Sequence, residues 1–109
     1  MKDLVFLGDS RDRLRDFPDD ARRTAGFQLR RIQQGLEPFD WKPMPTIGPG
    51  VREIRVREGT GAFRVIYVTL VADAVHVLHI FQKKSQKTPK PDLDLAARRL
   101  RALTAKGSP

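Results

Sequence analysis

The chain has 109 residues, a formal net charge of +8 at pH 7 and no cysteine. This length fits one domain with a modest core, and the lack of cysteine excludes a disulfide framework, a thiolate metal site and a cysteine nucleophile. Positive charge clustered in so small a domain favours a polyanionic partner (RNA, DNA, an anionic membrane or an acidic protein) over a merely solvated basic surface. No apolar run is long enough to span a bilayer or to serve as a signal peptide, so we expect a cytoplasmic protein.

The first half of the chain predicts one strand and two helices. Residues 4–7 form a short apolar strand, and a helix follows over about residues 11–17, capped by Asp9 or Ser10. A second helix begins at Pro18 and ends at Gly35, with one apolar stripe at three-to-four spacing. Residues 36–50 are rich in proline and glycine, which indicates an irregular loop.

The second half predicts a three-strand meander and a final helix. Strands are expected over residues 51–57, 62–70 and 75–82, and the helix over about residues 91–103. Residues 1–109 then form a single domain whose last four residues, 106–109, are frayed. The resulting order β-α-α-β-β-β-α predicts an α+β fold, in which one antiparallel-rich sheet packs against its helices.

The sequence lacks the familiar motifs of metal and nucleotide chemistry. It has no phosphate-binding loop, and its acidic residues lie mainly at helix starts, which argues against a two-metal carboxylate site. His76 and His79 are three residues apart on a predicted strand, so we expect them on opposite faces, unable to form a paired metal site by themselves. The prediction is a protein without metal or cofactor.

Cations from three strands converge at one end of the predicted sheet. They come from the first meander strand, from the central strand and from the loop after the last strand: Arg55, Arg57, Arg64, Lys83, Lys84 and Lys87. Such a group can bind phosphates, and a charge in a central strand is costly unless it is paired or lies in a cleft. Tyr67 and Phe81 lie on the same strands, where an aromatic ring can stack on a base.

A simpler interpretation stays open at each of these positions. Arg64 would pair with Glu53 across the sheet, and the other cations would form a solvated surface. Tyr67 and Phe81 would pack in the core, and His79 would be a satisfied, partly buried residue. These alternatives differ in whether the side chains are available to a partner.

Four stretches resemble the RelE/ParE toxin superfamily, and its HigB-like, phage-derived branch in particular. They read VREIRV, FRVIY, HVLHIFQKKSQKTP and, on the last helix, LDLAARRL. The resemblance runs from Leu4 to about Leu103, and its most specific part is FQKKSQKTP at residues 81–89. It implies a type II toxin that a small helix-turn-helix antitoxin holds inactive, and that enters the ribosomal A site and cuts mRNA there.

The resemblance also implies where the chemistry takes place. It assigns Arg55 and Arg64 as the strand arginines, and as the strand-end cations Lys83, Lys84 and Lys87, with Gln86 beside them. The expected reaction needs no metal: the RNA 2′-hydroxyl attacks the adjacent phosphate, and a 2′,3′-cyclic phosphate and a 5′-hydroxyl result. Free RNA is expected to be a poor substrate, because the ribosome supplies the geometry.

Roles follow from the same interpretation. Arg64 and Lys83 stabilise the charge that grows on phosphorus, and Lys84 or Lys87, crowded by other cations, serves as acid or base. His79 is a second candidate base. Arg55 and Arg57 position the RNA backbone without reading its sequence.

Two rival functions remain at this point. A ParE-like protein would inhibit DNA gyrase and cut no RNA, although a lysine-rich strand end favours a phosphate-binding cleft. A non-catalytic basic module would bind RNA or an acidic antitoxin. Substitution of Arg64 or Lys83 separates these possibilities, because only a nuclease would lose RNA cleavage.

Overall fold

The structure, a computed structural model, describes residues 1–59, 61–84 and 87–107, without the side chains of residues 106 and 107. Its elements are β1 (Asp3–Phe6), α1 (Ser10–Arg15), α2 (Asp19–Gln33), β2 (Trp41–Pro43), β3 (Arg52–Glu58), β4 (Gly61–Val68), β5 (Ala74–Lys83) and α3 (Lys90–Gly107). The predicted α+β fold is confirmed. The backbone of residues 106 and 107 belongs to α3, and residues 108 and 109 lie outside the described residues, so the fraying expected at 106–109 stays a prediction.

The sheet has five strands where the sequence predicted four. Its order is β1-β5-β4-β3-β2, in which β1 runs parallel to β5 and all other neighbours are antiparallel. The additional strand, β2, lies inside the predicted irregular loop. It has three residues, too few for a visible alternation, and its Pro43 is tolerated because β2 is an edge strand.

Helices cover both faces of the sheet. On one face, here called the α2 face, the predicted stripe of α2 packs with Leu14 and Phe17 against apolar residues of β3, β4 and β5. On the other, the α3 face, α3 and residues 44–51 pack against Ile66, Val68 and Leu78. The central strands β4 and β5 therefore send side chains into two separate cores, one on each face.

A bulge in β5 interrupts this alternation. Ile66 pairs with His79 and Tyr67 pairs with Val77, which leaves Leu78 as the extra residue in β5. The residues on either side of the bulge consequently change their expected faces.

The bulge places both histidines on the α3 face. His76 lies opposite Val68, which packs against α3, and His79 lies 2.6 Å from a carboxylate oxygen of Asp92 in α3. The expectation that His76 and His79 point to opposite faces was wrong, because strict alternation fails where one strand carries an additional residue. The residues that the structure describes nevertheless contain no cluster of three or more metal-binding side chains.

Arg99 fastens α3 to the sheet and to the start of α1. Its guanidinium donates to the Leu78 carbonyl oxygen at 2.9 Å and to the Asp9 carboxylate at 2.8 Å. Hydrogen bonds from Arg13 and Arg99 lower the pKa of Asp9 to about 2. Asp9 is thus an ion-pair partner at the N-cap position and makes no side-chain capping bond.

No helix in the described part of the chain has the length and apolar character to cross a membrane.

Two glycines next to open space allow a test of backbone conformation alone. Apart from the adjacent residues and the backbone of the same helix, no heavy atom of the described residues would lie within 4 Å of a Cβ added at Gly26 or Gly35. Gly26 lies inside α2, so Gly26→Ala should stabilise the protein by about 0.5–1 kcal/mol. Gly35 has φ +83°, so Gly35→Ala should destabilise it by about 1–2 kcal/mol. Urea unfolding measures both, and changes of the same sign would contradict the assigned backbone.

Candidate nucleic-acid interface

The α3 face divides into an apolar half beneath α3 and a charged half beyond the start of that helix. Five cations belong to the charged half, here called the cationic face: Lys42, Arg55, Arg57, Arg64 and Lys83. The strand register brings them together, because directly opposed residues of a sheet point the same way. Arg55 lies opposite Arg64, and Lys83 lies two residues beyond the partner of Arg64 on β5.

A buried carboxylate lies among these cations. Glu53 is fully buried, and its Oε1 lies 3.3 Å from Arg64 Nε and 3.9 Å from Lys42 Nζ. Its Oε2 accepts a hydrogen bond of 2.8 Å from the Thr88 hydroxyl. Like charges directly opposite each other destabilise a sheet, and Glu53 offsets that repulsion from within the protein.

Arg64 therefore matches the simpler interpretation, in which it pairs with Glu53. Only 5% of the residue is exposed, and Nη1 donates to the Phe63 carbonyl oxygen at 3.1 Å. Burial lowers the pKa of Arg64, Glu53 opposes that shift, and neighbouring arginines add to it. Arg64 thus forms the floor of the cationic face.

Lys83 is more exposed than Arg64, and the charges of Arg64 and Glu53 act on it. Burial lowers the pKa of Lys83, the positive charge of Arg64 lowers it further, and Glu53 opposes both effects. The lowered pKa of Lys83 is a property that favours proton transfer, a role that the sequence analysis assigned to Lys84 or Lys87.

The two arginines of β3 differ in their availability. The Arg55 Nη2 atom lies 2.8 Å from a carboxylate oxygen of Asp40, and the side chain is partly exposed. Arg57 is exposed at the end of the strand. The expected pair on one face is present, but Arg55 is partly neutralised, whereas Arg57 faces solvent.

The segment after β5, here called the lysine loop for its described residues Lys84 and Lys87, carries further positive charge. Lys84 and Lys87 are both exposed, as a contact with a phosphate backbone requires. The predicted contact residue Gln86 lies outside the described residues. Lys84 directly follows Lys83, and Lys87 directly precedes Thr88, which bonds Glu53, so these two exposed lysines border the cationic face and form its rim.

The two aromatic residues expected to stack on bases are core residues. Tyr67 points to the α2 face with 1% of its surface exposed. Phe81 lies on the α3 face, but it is 4% exposed and stacks on His79 with ring centroids 5.1 Å apart. Neither ring offers a free face to a base, so the stacking prediction is corrected for both.

His79 is also unsuited to act on a substrate. It has no solvent exposure, and its Nε2 lies 2.6 Å from Asp92 Oδ1. Burial lowers the pKa of His79, while the Asp92 carboxylate opposes the shift. The structure makes His79 a contact between β5 and α3 in place of the second candidate base.

Four residues around the site were missed as functional candidates: Lys42, Glu53, Thr88 and Asp92. Glu53 had a sequence signal, because it shares the polar face of β3 with Arg55 and Arg57. Lys42 lies on the strand that was not predicted. The other two reach the site only because α3 packs against this face, which no local pattern reveals.

These features define a small α+β protein with a cationic sheet face suited to a polyanion. A family model described as "Phage derived protein Gp49-like (DUF891)" matches residues 12–101, and the chain belongs to this family. The family is associated with RelE-like toxins of toxin–antitoxin systems, which indicates an antitoxin partner. No curated protein matches the sequence.

Removal of one partner from the buried Glu53–Arg64 pair should destabilise the protein strongly. Glu53→Gln or Arg64→Met alone should each destabilise the protein by about 3 kcal/mol, because a buried charge loses its partner. The double variant should be destabilised by about 1–3 kcal/mol less than the sum of the two single variants. Urea unfolding provides all three values.

An exposed ion pair serves as the control for this cycle. Lys90 and Asp94 form such a pair at 3.0 Å, and Asp94→Asn should change stability by less than about 1 kcal/mol. Strict additivity of the Glu53 and Arg64 effects would refute the pairing.

Stability should fall on mild acidification. The folded-state pKa values of His79 and His76 are below 6.5, so the unfolded chain binds more protons as the pH drops through that value. The stability that the two neutral, buried histidines contribute is complete above pH 6.5 and is lost as the pH falls below that value. Urea unfolding at intervals from pH 7.5 to 5.5 should show this loss, and it should be smaller in His79→Gln. A flat profile for the parent protein would contradict the assigned burial.

Proposed function

We propose that the protein is the toxin of a type II toxin–antitoxin system and a ribosome-dependent mRNA endoribonuclease. The supporting observation is the cationic face, in which Arg57, Arg64 and Lys83 share one side of the sheet beside the lysine loop. Membership of a family associated with RelE-like toxins supports the same conclusion.

The proposed reaction is an internal transesterification of RNA. The 2′-oxygen forms a bond to the neighbouring phosphorus while the bond from phosphorus to the 5′-oxygen breaks. The products are a 2′,3′-cyclic phosphate and a free 5′-hydroxyl. Negative charge accumulates on the phosphoryl oxygens on the way, and fixed cations stabilise such charge. The step as proposed uses no metal ion.

Burial divides the roles among the cations. Arg64 supplies positive charge from the floor, and Lys83, whose pKa is lowered, is the proposed acid that protonates the departing 5′-oxygen. The 2′-hydroxyl proton passes to solvent water, and the exposed ammonium groups of Lys84 and Lys87 are proposed to donate hydrogen bonds to the phosphate oxygens. Arg55 and Arg57 hold the backbone phosphates.

The partners follow from this chemistry. The ribosomal A site is the proposed source of correctly bent mRNA, because the described residues supply cations but no exposed aromatic platform on this face to splay the bases. A helix-turn-helix antitoxin is the proposed inhibitor. Its acidic surface would match a chain of net charge +8.

Cell-free translation of a defined mRNA tests the proposal. Primer extension should reveal new 5′ ends at codon-phased positions, and only when ribosomes are present. Lys83→Ala should lower the cleavage rate on the order of a hundredfold, because a fixed cation beside the phosphate is lost. Arg30→Ala, an exposed arginine of α2 outside the cationic face, should cleave like the parent protein.

Other outcomes distinguish the rival functions. Intact mRNA with a folded parent protein would refute the nuclease, and loss of gyrase supercoiling in a parallel assay would then identify a gyrase inhibitor. If neither activity appears, a binding-only role follows. Equal loss in Lys83→Ala and Arg30→Ala would show that charge in general, and not the cationic face, supports cleavage.

A further inference from the structure

We propose that Thr88 is a positioning residue that sets how tightly Glu53 pairs with Arg64. The inference rests on the proposed function, because its catalytic consequence concerns the charge that Arg64 presents to a phosphate. The carrying observation is the contact between the Thr88 hydroxyl and Glu53 Oε2, which joins the segment just before α3 to the beginning of β3.

The two oxygens of Glu53 have separate partners. Oε2 accepts the 2.8 Å hydrogen bond from Thr88, and Oε1 faces Arg64 at 3.3 Å. Neither Oε1 nor Arg64 Nε has a well-aligned hydrogen-bond partner among the described residues, although both atoms are buried. The pair is therefore held at ion-pair distance without closing into the two parallel bonds that arginine and a carboxylate ordinarily form.

Thr88 is held in place independently of this pair. The Pro89 carbonyl oxygen accepts from the backbone N–H groups of Asp92 and Leu93 at 3.0 and 3.1 Å, so the first turn of α3 follows Thr88 directly. Asp92 in that turn contacts His79 at 2.6 Å, which fixes the helix start against β5. The hydroxyl thus reaches Glu53 from a rigid support.

This arrangement leaves Arg64 incompletely neutralised. A carboxylate released by Thr88 has a buried oxygen without a partner, and an unpaired buried acceptor is costly. It would turn both oxygens toward Arg64 and Lys42, its two cationic neighbours. The floor of the cationic face would then present less positive charge to the charge that develops on phosphorus.

Thr88→Val tests this arrangement, because valine keeps the shape and removes the hydroxyl. In the ribosome-dependent cleavage assay, kcat should fall on the order of tenfold with KM nearly unchanged, since a hydrogen bond to a charged group is lost. Thr88→Ser keeps a hydroxyl and should restore most of kcat. Thr104→Val removes a hydroxyl within α3, one that donates to the Leu100 carbonyl oxygen far from Glu53, and should behave like the parent protein.

A second readout does not depend on activity. In ¹⁵N-labelled protein the Nε–H signal of Arg64 should shift in Thr88→Val and exchange more slowly with water, because a tighter pair protects that proton. Thr88→Ser should leave the signal in place. If the parent protein cleaves no mRNA, the proposed function fails, and this signal still decides whether Thr88 controls the pair. Thr88→Ala replaces the valine variant if the latter does not fold.

Several results would overturn the proposal. An unchanged Arg64 signal in Thr88→Val would show that the hydroxyl does not orient Glu53. An equal loss of kcat in the serine and valine variants would show a steric role only. A rise in KM with unchanged kcat would assign Thr88 to substrate binding.

Discussion

The buried carboxylate of Glu53 is the interaction on which the cationic face depends. Arg55 and Arg64 lie directly opposite each other on neighbouring strands, an arrangement that repels unless a negative charge lies between or beneath them. Glu53 supplies that charge from a position with no solvent exposure. The desolvation cost of burying an ion pair is comparable with the attraction between its charges, so the pair organises the charges of this face and adds little net stability.

Helix α3 connects this organisation to the hydrophobic core. Its apolar side covers one half of a sheet face, and its first turn borders the cationic half. The contact of Asp92 with His79 and that of Arg99 with the Leu78 carbonyl oxygen hold the helix at two points along β5. Packing of this core and placement of the charges therefore depend on the same helix, and a change in the docking of α3 alters both.

Much of the fold, and less of the site, was predictable from the sequence. Apolar periodicity located α2 and the three longer strands, and the charge of Arg64 in an apolar strand correctly marked a special position. Sequence patterns failed at two places. β2 was missed because three residues are too few to show an alternation, and the histidines were assigned to opposite faces because the bulge at Leu78 cannot be read from spacing. Tyr67 and Phe81 have the chemistry of stacking residues, but their burial depends on helices that sequence spacing does not place.

Depth of burial gives the cations of this face two different physical functions. Charges at the rim, such as Lys84 and Lys87, act through water and salt, which screen them beyond a Debye length of about 8 Å at physiological ionic strength. They suit attraction and alignment of a backbone. Arg64 is enclosed by protein, where screening is weak and the geometry is fixed before a substrate arrives. Lys83 lies between these environments, and its lowered pKa follows from that intermediate position. A rim open to solvent and a floor enclosed by protein are therefore consequences of one sheet face being only half covered by a helix.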